Sequence, residues 1–140
     1  MANDFRQFEI QLNAFAKKVA IAPSKIVKRV GFELLGRIVR KTPVDTGRAR
    51  GSWTIAVNKA DRTVLPPAPP GEIYPPPPIG ALDVRLNESL VISNNLPYIV
   101  KLEKGHSKQA KPHAMVALSI EEVNLRMDAL IREGLKDAGL

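Results

Sequence analysis

Lys41-Thr42-Pro43-Val44-Asp45-Thr46-Gly47-Arg48-Ala49-Arg50-Gly51-Ser52 separates two different hydrophobic periodicities. Before it, Ile26, Val30, Leu34 and Ile38 recur at the spacing of one helix face. After it, Trp53, Ile55 and Val57 alternate with Ser52, Thr54 and Asn58, the period of a half-buried strand. The stretch between them has the chemistry of a corner. Pro43 pushes Thr42 towards extended geometry and stops the helix, which ends on the basic residues Arg37, Arg40 and Lys41. Asp45 can accept backbone hydrogen bonds in an Asx-type turn, Thr46 can add one more, and Gly47 supplies a left-handed conformation. On an extended chain leaving this corner, Arg48 and Arg50 project on one side, a pair able to meet carboxylates or phosphates bidentately.

Working outward, Phe5, Phe8, Leu12, Phe15 and Val19 fit an amphipathic helix, and Pro23 starts a second helix or kinks one long one. The segment 1–41 therefore reads as helical, and 42–60 as corner and strand. Residues 61–80 form an extended proline-rich loop, because Leu65 to Gly80 holds eight of the twelve prolines, which cannot supply sheet hydrogen bonds. Leu82, Val84 and Leu86 alternate with polar residues, and Leu90-Val91-Ile92 is a short apolar run. Two strands or one bulged strand fit equally well. Pro97 to Glu103 reads as a short helix capped by Gly105, completing 81–105. Pro112 opens a last helix over 112–138, with Val116, Ile120, Val123, Met127 and Leu130 or Ile131 on one face for about six turns, ended by Gly139. The expected fold is α+β over 1–140 as a single domain. Three to four antiparallel strands would pack against long N-terminal and C-terminal helices.

A chain of 140 residues suits one core, and its 44% hydrophobic and 25% charged residues are those of an ordinary globular protein. No apolar run approaches the roughly 20 residues of a membrane span, and the first fifteen residues lack a signal-peptide pattern, so synthesis in the cytoplasm and no membrane partner are expected. The absence of cysteine excludes disulfides, a thiolate nucleophile and the common zinc knuckles. The formal charge of +7 is concentrated in two stretches. One is Arg37, Arg40, Lys41, Arg48, Arg50, Lys59 and Arg62; the other is Lys101, Lys104, Lys108 and Lys111. Both point to acidic or polyanionic partners.

The corner, with Tyr98-Ile99-Val100-Lys101-Leu102-Glu103-Lys104-Gly105 and Pro112-His113-Ala114-Met115 in that order, resembles the tail-completion or neck proteins of tailed bacteriophages. Together the three landmarks cover most of the chain. Ala49 stands where that family commonly has a larger apolar residue, and the proline run is longer than its usual inter-strand loop. The resemblance implies a non-enzymatic structural subunit of the virion, made in the host cytoplasm and located at the head-tail junction. It forms a ring, often a hexamer, between the head connector or adaptor and the tail terminator or tail tube. It implies no cofactor, no metal and no catalytic residue. Contact with packaged DNA is expected to be non-specific.

Candidate interface residues follow from the chemistry of these segments. Arg48 and Arg50 would meet a partner at the corner, and Ile73 and Tyr74 would anchor a proline strut reaching an adjacent subunit or ring. Glu103, with Lys104 beside it, would either pair with a neighbour's arginine and lock ring register or cap its own chain.

Sharper chemistry has less support. Asp45-Thr46-Gly47 is also the tripeptide of aspartic proteases, but it follows a helix and precedes an arginine, where that fold needs an apolar strand. His106 and His113 lie in a lysine-rich loop with only Glu103 nearby, a poor metal ligand set. No phosphate-binding glycine loop or catalytic triad pattern is present. Two other readings compete with the structural subunit: a basic nucleic-acid-binding protein, and a transient tail-assembly chaperone. The first lacks interleaved aromatics, since Trp53 belongs to the core. The proline run as a ligand for a proline-binding module is the less economical use of that segment.

Overall fold

Helix α1, Pro23–Lys41, is about 28 Å long and organises the rest of the protein. Val27, Val30, Leu34, Leu35, Ile38 and Val39 are buried along it, the three-and-four spacing that puts one stripe against a core. In the computed structural model, residues 8–13, 23–78, 82–85, 88–105 and 112–139 are described. The architecture is α+β, with helices packed against a small antiparallel sheet.

The sheet is built around β3, Ser89–Asn94, which pairs antiparallel with β1, Phe8–Asn13, on one side and β2, Thr54–Val57, on the other. Leu90 to Asn94 are all buried, which is why this strand reads as a continuous apolar run rather than an alternation. Ile92 joins the main core with Trp53 and α1, while Leu90 packs with Val27 and Val84. Ser93 is covered by the chain leaving β2. The carbonyl of Asp61 accepts from Thr54 Oγ1 at 3.1 Å, Ser93 Oγ at 3.1 Å and Asn95 Nδ2 at 3.2 Å.

Four expectations need correction. Of the helix expected over 1–41 the described residues show Pro23–Lys41, and Phe8–Asn13 is a strand. Phe8, Ile10 and Leu12 alternate with Glu9, Gln11 and Asn13, so a period of two competes with the helical one. Pairing with β3 decides between them. Phe5, Phe15 and Val19 lie outside the described residues. Second, Arg48–Gly51 is a short helical turn, α2, so the chain leaves the corner coiled and becomes extended only at Thr54. Third, residues 82–85 are not a strand; Leu86 lies outside the described residues. Fourth, the last helix is two: α4, Met115–Leu125, and α5, Met127–Asp137. Pro112 and His113 precede α4. At the junction the Arg126 N–H is shared between the carbonyls of Glu122, at 3.2 Å, and Val123, at 3.0 Å, the mark of a tightened turn.

Charge pairs and close packing join α1 to α4 and α5. Arg29 meets Asp137 with two bonds, of 3.0 and 2.8 Å. Arg37 bridges Glu33 at 2.7 Å and Glu122 at 2.9 Å, and Lys41 donates to the same Glu122 oxygen. Gly134 lets the helices touch, because a Cβ there would lie 2.8 Å from Ile26 Cγ1 and 2.9 Å from its Cα.

Hydrogen bonds from Lys41 and then Arg37 hold the Glu122 carboxyl below its ordinary 4.5, and the hydroxyl and then the backbone N–H of Thr63 hold Asp61 below its ordinary 3.8. Folded values below unfolded ones mean that these contacts stabilise the protein fully above the unfolded values. They are lost as pH falls through the folded ones. Thermal melts are therefore expected to drop as pH is lowered from about 5 to about 3. Glu122→Gln should flatten that acid limb; an unchanged limb would remove the seam from the account.

Candidate interface site

The corner is held from inside. Thr42 Oγ1 donates to the Ile38 carbonyl at 2.8 Å, finishing α1, and accepts from the indole N–H of Trp53 at 2.9 Å. Trp53 is 1% exposed, and its one polar atom is satisfied by the residue before the proline. Gly47 stands at φ +77° and starts α2, with the Gly51 N–H reaching back to its carbonyl at 2.7 Å. Of the expected turn bonds, Thr46 makes one, its Oγ1 accepting from the Arg48 N–H at 3.3 Å. Asp45 is exposed, and no described donor meets its side chain. Buried Asn94 locks the corner to β3, donating to the Ala49 carbonyl at 3.0 Å while its Oδ1 accepts from the Leu96 N–H at 3.0 Å.

Onto this corner the proline-rich segment folds back. Pro69 to Glu72 makes a turn closed by the Glu72 N–H on the Pro69 carbonyl at 3.0 Å, with Pro70 second and Gly71 third at φ +80°, a type II pattern. The reversal brings Tyr74 beside the outgoing strand of the loop, where its hydroxyl donates to the Pro66 carbonyl at 2.8 Å. The two arginines clamp the base. Arg48 Nε donates to the Leu65 carbonyl at 2.7 Å on the outgoing side, and an Arg50 terminal nitrogen donates to the Tyr74 carbonyl at 2.7 Å on the returning side. The Tyr74 N–H completes the joint on the Thr46 carbonyl at 2.8 Å.

Two glycines make room for this joint. A Cβ at Gly47 would sit 2.4 Å from the Tyr74 carbonyl oxygen, and one at Gly51 would sit 2.8 Å from Leu65 Cδ1 and 3.2 Å from the Pro75 oxygen. A cleft of about 370 Å³ remains between Pro75–Pro78 and the β2 side, floored by Trp53, Ile55 and Leu65.

The structure thus redistributes the candidate residues. Pro43, Thr46 and Gly47 build the corner. Arg48 and Arg50, expected to meet a partner, hold their own chain's carbonyls. Tyr74 is half-buried in the same joint, and the loop doubles back instead of extending as a strut. Ile73, 63% exposed at the loop tip, is the member of the pair that faces outward. Glu103 is buried, and its two carboxylate oxygens accept from the N–H groups of Val116 at 2.9 Å and Ala117 at 3.0 Å, so it caps α4 from α3, Ile99–Lys104. Lys104 is exposed.

The first basic stretch is largely engaged within the fold: Arg37 and Lys41 on Glu122, Arg48 and Arg50 on carbonyls. In the second, Lys101 and Lys104 are exposed, and Lys108 and Lys111 lie outside the described residues. Sequence reasoning offers capping of its own chain as one use of Glu103 and misses the clamp on Leu65 and Tyr74, since an arginine's carbonyl partner leaves no residue-type signal.

Among the described residues no group of three or more His, Asp or Glu is placed to hold a metal ion, and His106 lies outside them. No described helix is long and apolar enough to cross a membrane. Comparison of the chain with protein-family models, with curated proteins and with solved structures finds no match in any of the three.

Proposed function

We propose that this protein is a non-enzymatic structural subunit of a tailed-phage particle, a tail-completion or neck protein that self-associates into a ring of six copies joining tail to DNA-filled head. The reading rests on the three sequence landmarks in their order. The observation that carries it is the use the fold makes of the first: the corner 42–52 is a rigid mount for a folded-back loop whose tip presents Ile73 to the outside. A loop without ladder hydrogen bonds, held by two arginines, a tyrosine and a glycine cradle, keeps one shape while presenting an apolar anchor. That is what an assembly contact needs, and it involves no reacting group. Neighbours above and below would be the head connector or adaptor and the tail terminator or tube; the location would be the virion.

Electron microscopy of purified particles, with this chain labelled, tests the reading. A stoichiometric ring at the neck is expected. Particles that lack the chain would count for a transient assembly chaperone. A free chain that binds duplex DNA with a steep salt dependence, and is absent from particles, would put a nucleic-acid binder in its place.

A further inference from the structure

Helix α4 carries large apolar residues beyond the face it buries. Met115, Val116 and Val123 are buried in the core, while Leu118 is 44% exposed, Ile120 38% and Leu125 88%. Six large hydrophobic residues are exposed among the described ones and half of them lie on this helix; Ile120 is on one flank, and Leu118 and Leu125 are together on the other. Large apolar side chains held together on the outside of a helix mark a contact surface. Leu118 and Leu125 are seven residues apart, on one stripe, and the exposed carboxylate of Glu121 lies between them.

On α1 the chain carries a complement to that stripe. A groove of about 460 Å³ runs along the helix with Phe32 and Gly36 in it and Lys25, Lys28 and Arg40 around it. Its two acids are already engaged, Asp137 by Arg29 and Glu33 by Arg37. No described carboxylate pairs with Lys25, Lys28 or Arg40; Lys28 Nζ stands 5.9 Å from the centre of the Phe32 ring. The groove therefore offers the Phe32 ring set among cations that no described acid engages.

We propose that the outward face of α4 docks in the α1 groove of a second copy of this chain. Leu118 and Leu125 cover Phe32, and Glu121 meets the cations that no described acid engages. The proposed contact is heterologous: a single pairing of face with groove leaves one face and one groove open across the two copies, where a two-fold dimer would close both at once. Repetition gives a ring if the rotation closes and a filament if it does not. The inference rests on the ring reading for its biological meaning and stands or falls separately as a contact.

The test uses two full-length variants, each with one side disabled at exposed positions: Leu125→Glu, and Lys25→Glu combined with Arg40→Glu. Sedimentation velocity follows each alone and mixed, with circular dichroism confirming the fold. The wild type is expected to associate, each variant to weaken association by at least about tenfold, and the equimolar mixture to form dimers that grow no further, since one intact face and one intact groove remain between them.

A mixture that stays monomeric overturns the heterologous contact, as does a Leu125→Glu variant that assembles like the wild type. In either case a ring seen at the neck would leave the assembly reading intact. A wild type monomeric at its highest soluble concentration overturns the contact as well. So does a Leu125→Glu variant that melts earlier without altered association, which would place a segment of the same chain over α4. Duplex DNA bound by the wild type and lost with the Lys25→Glu and Arg40→Glu pair, without self-association, would assign the groove to a polyanion and overturn the contact too.

Discussion

Gly47→Ala is expected to cost about 2 to 4 kcal/mol and to loosen the proline loop. Two effects add at this position. At φ +77° any side chain meets its own following carbonyl, a penalty of about 1 to 2 kcal/mol. The new methyl would also lie 2.4 Å from the Tyr74 oxygen, closer than real Cβ atoms come, and that oxygen is main chain held by Arg50. The loop must move, and the bonds from Tyr74 N–H to Thr46 and from Arg50 to Tyr74 go with it. Gly71 separates the two effects, since it has φ +80° and nothing within 4 Å of a built Cβ. In urea unfolding Gly71→Ala should show the conformational part alone. Equal losses for the two variants would mean that the docked Tyr74 carbonyl contributes nothing.

Glu103→Ala should lower stability by about 3 kcal/mol. Ala114, the residue before α4, has a left-handed backbone and no side-chain acceptor for the first turn, so Glu103 supplies both bonds from a different helix. Its negative charge at a helix N-terminus adds to them. Glu103→Gln keeps one carbonyl acceptor and should lose about 1 kcal/mol. A Glu103→Ala protein as stable as the wild type in urea would show that water replaces the carboxylate and that α4 needs no cap from α3. Of the uses the sequence leaves open for Glu103, capping its own chain is the one the fold displays, with one N–H on each carboxylate oxygen.

Local signals in the sequence were legible where chemistry and geometry are neighbours in the chain. Pro43 does stop α1, Gly47 does take the left-handed turn, Trp53 is in the core, and Gly105 closes the short helix at φ +74°. What was not legible depends on distant partners. Phe8 and Leu12 satisfy a period of four as well as a period of two, and only β3, far along the chain, decides. The arginines at 48 and 50 were read as a free pair because their partners are carbonyls, which every residue has. The break at Arg126 carries neither proline nor glycine, and its bifurcated bond has no counterpart in residue type. Capping is one use the sequence offers for Glu103, but nothing in the spacing of 103 and 116 shows that its carboxylate reaches the first turn of α4.

The position of β1 has a consequence for the order in which the chain folds as it is made. Its residues pair with partners between 76 positions away, Asn13 to Ser89, and 86 positions away, Phe8 to Asn94. At roughly 5 to 20 residues per second, β1 waits on the order of 4 to 17 seconds after synthesis for its partner to be translated. Helix α1 needs only neighbours and can form during that delay. The earliest described strand to leave the ribosome is therefore among the last to find its place, and for that interval the nascent chain carries an alternating apolar segment open to capture by chaperones or by other copies.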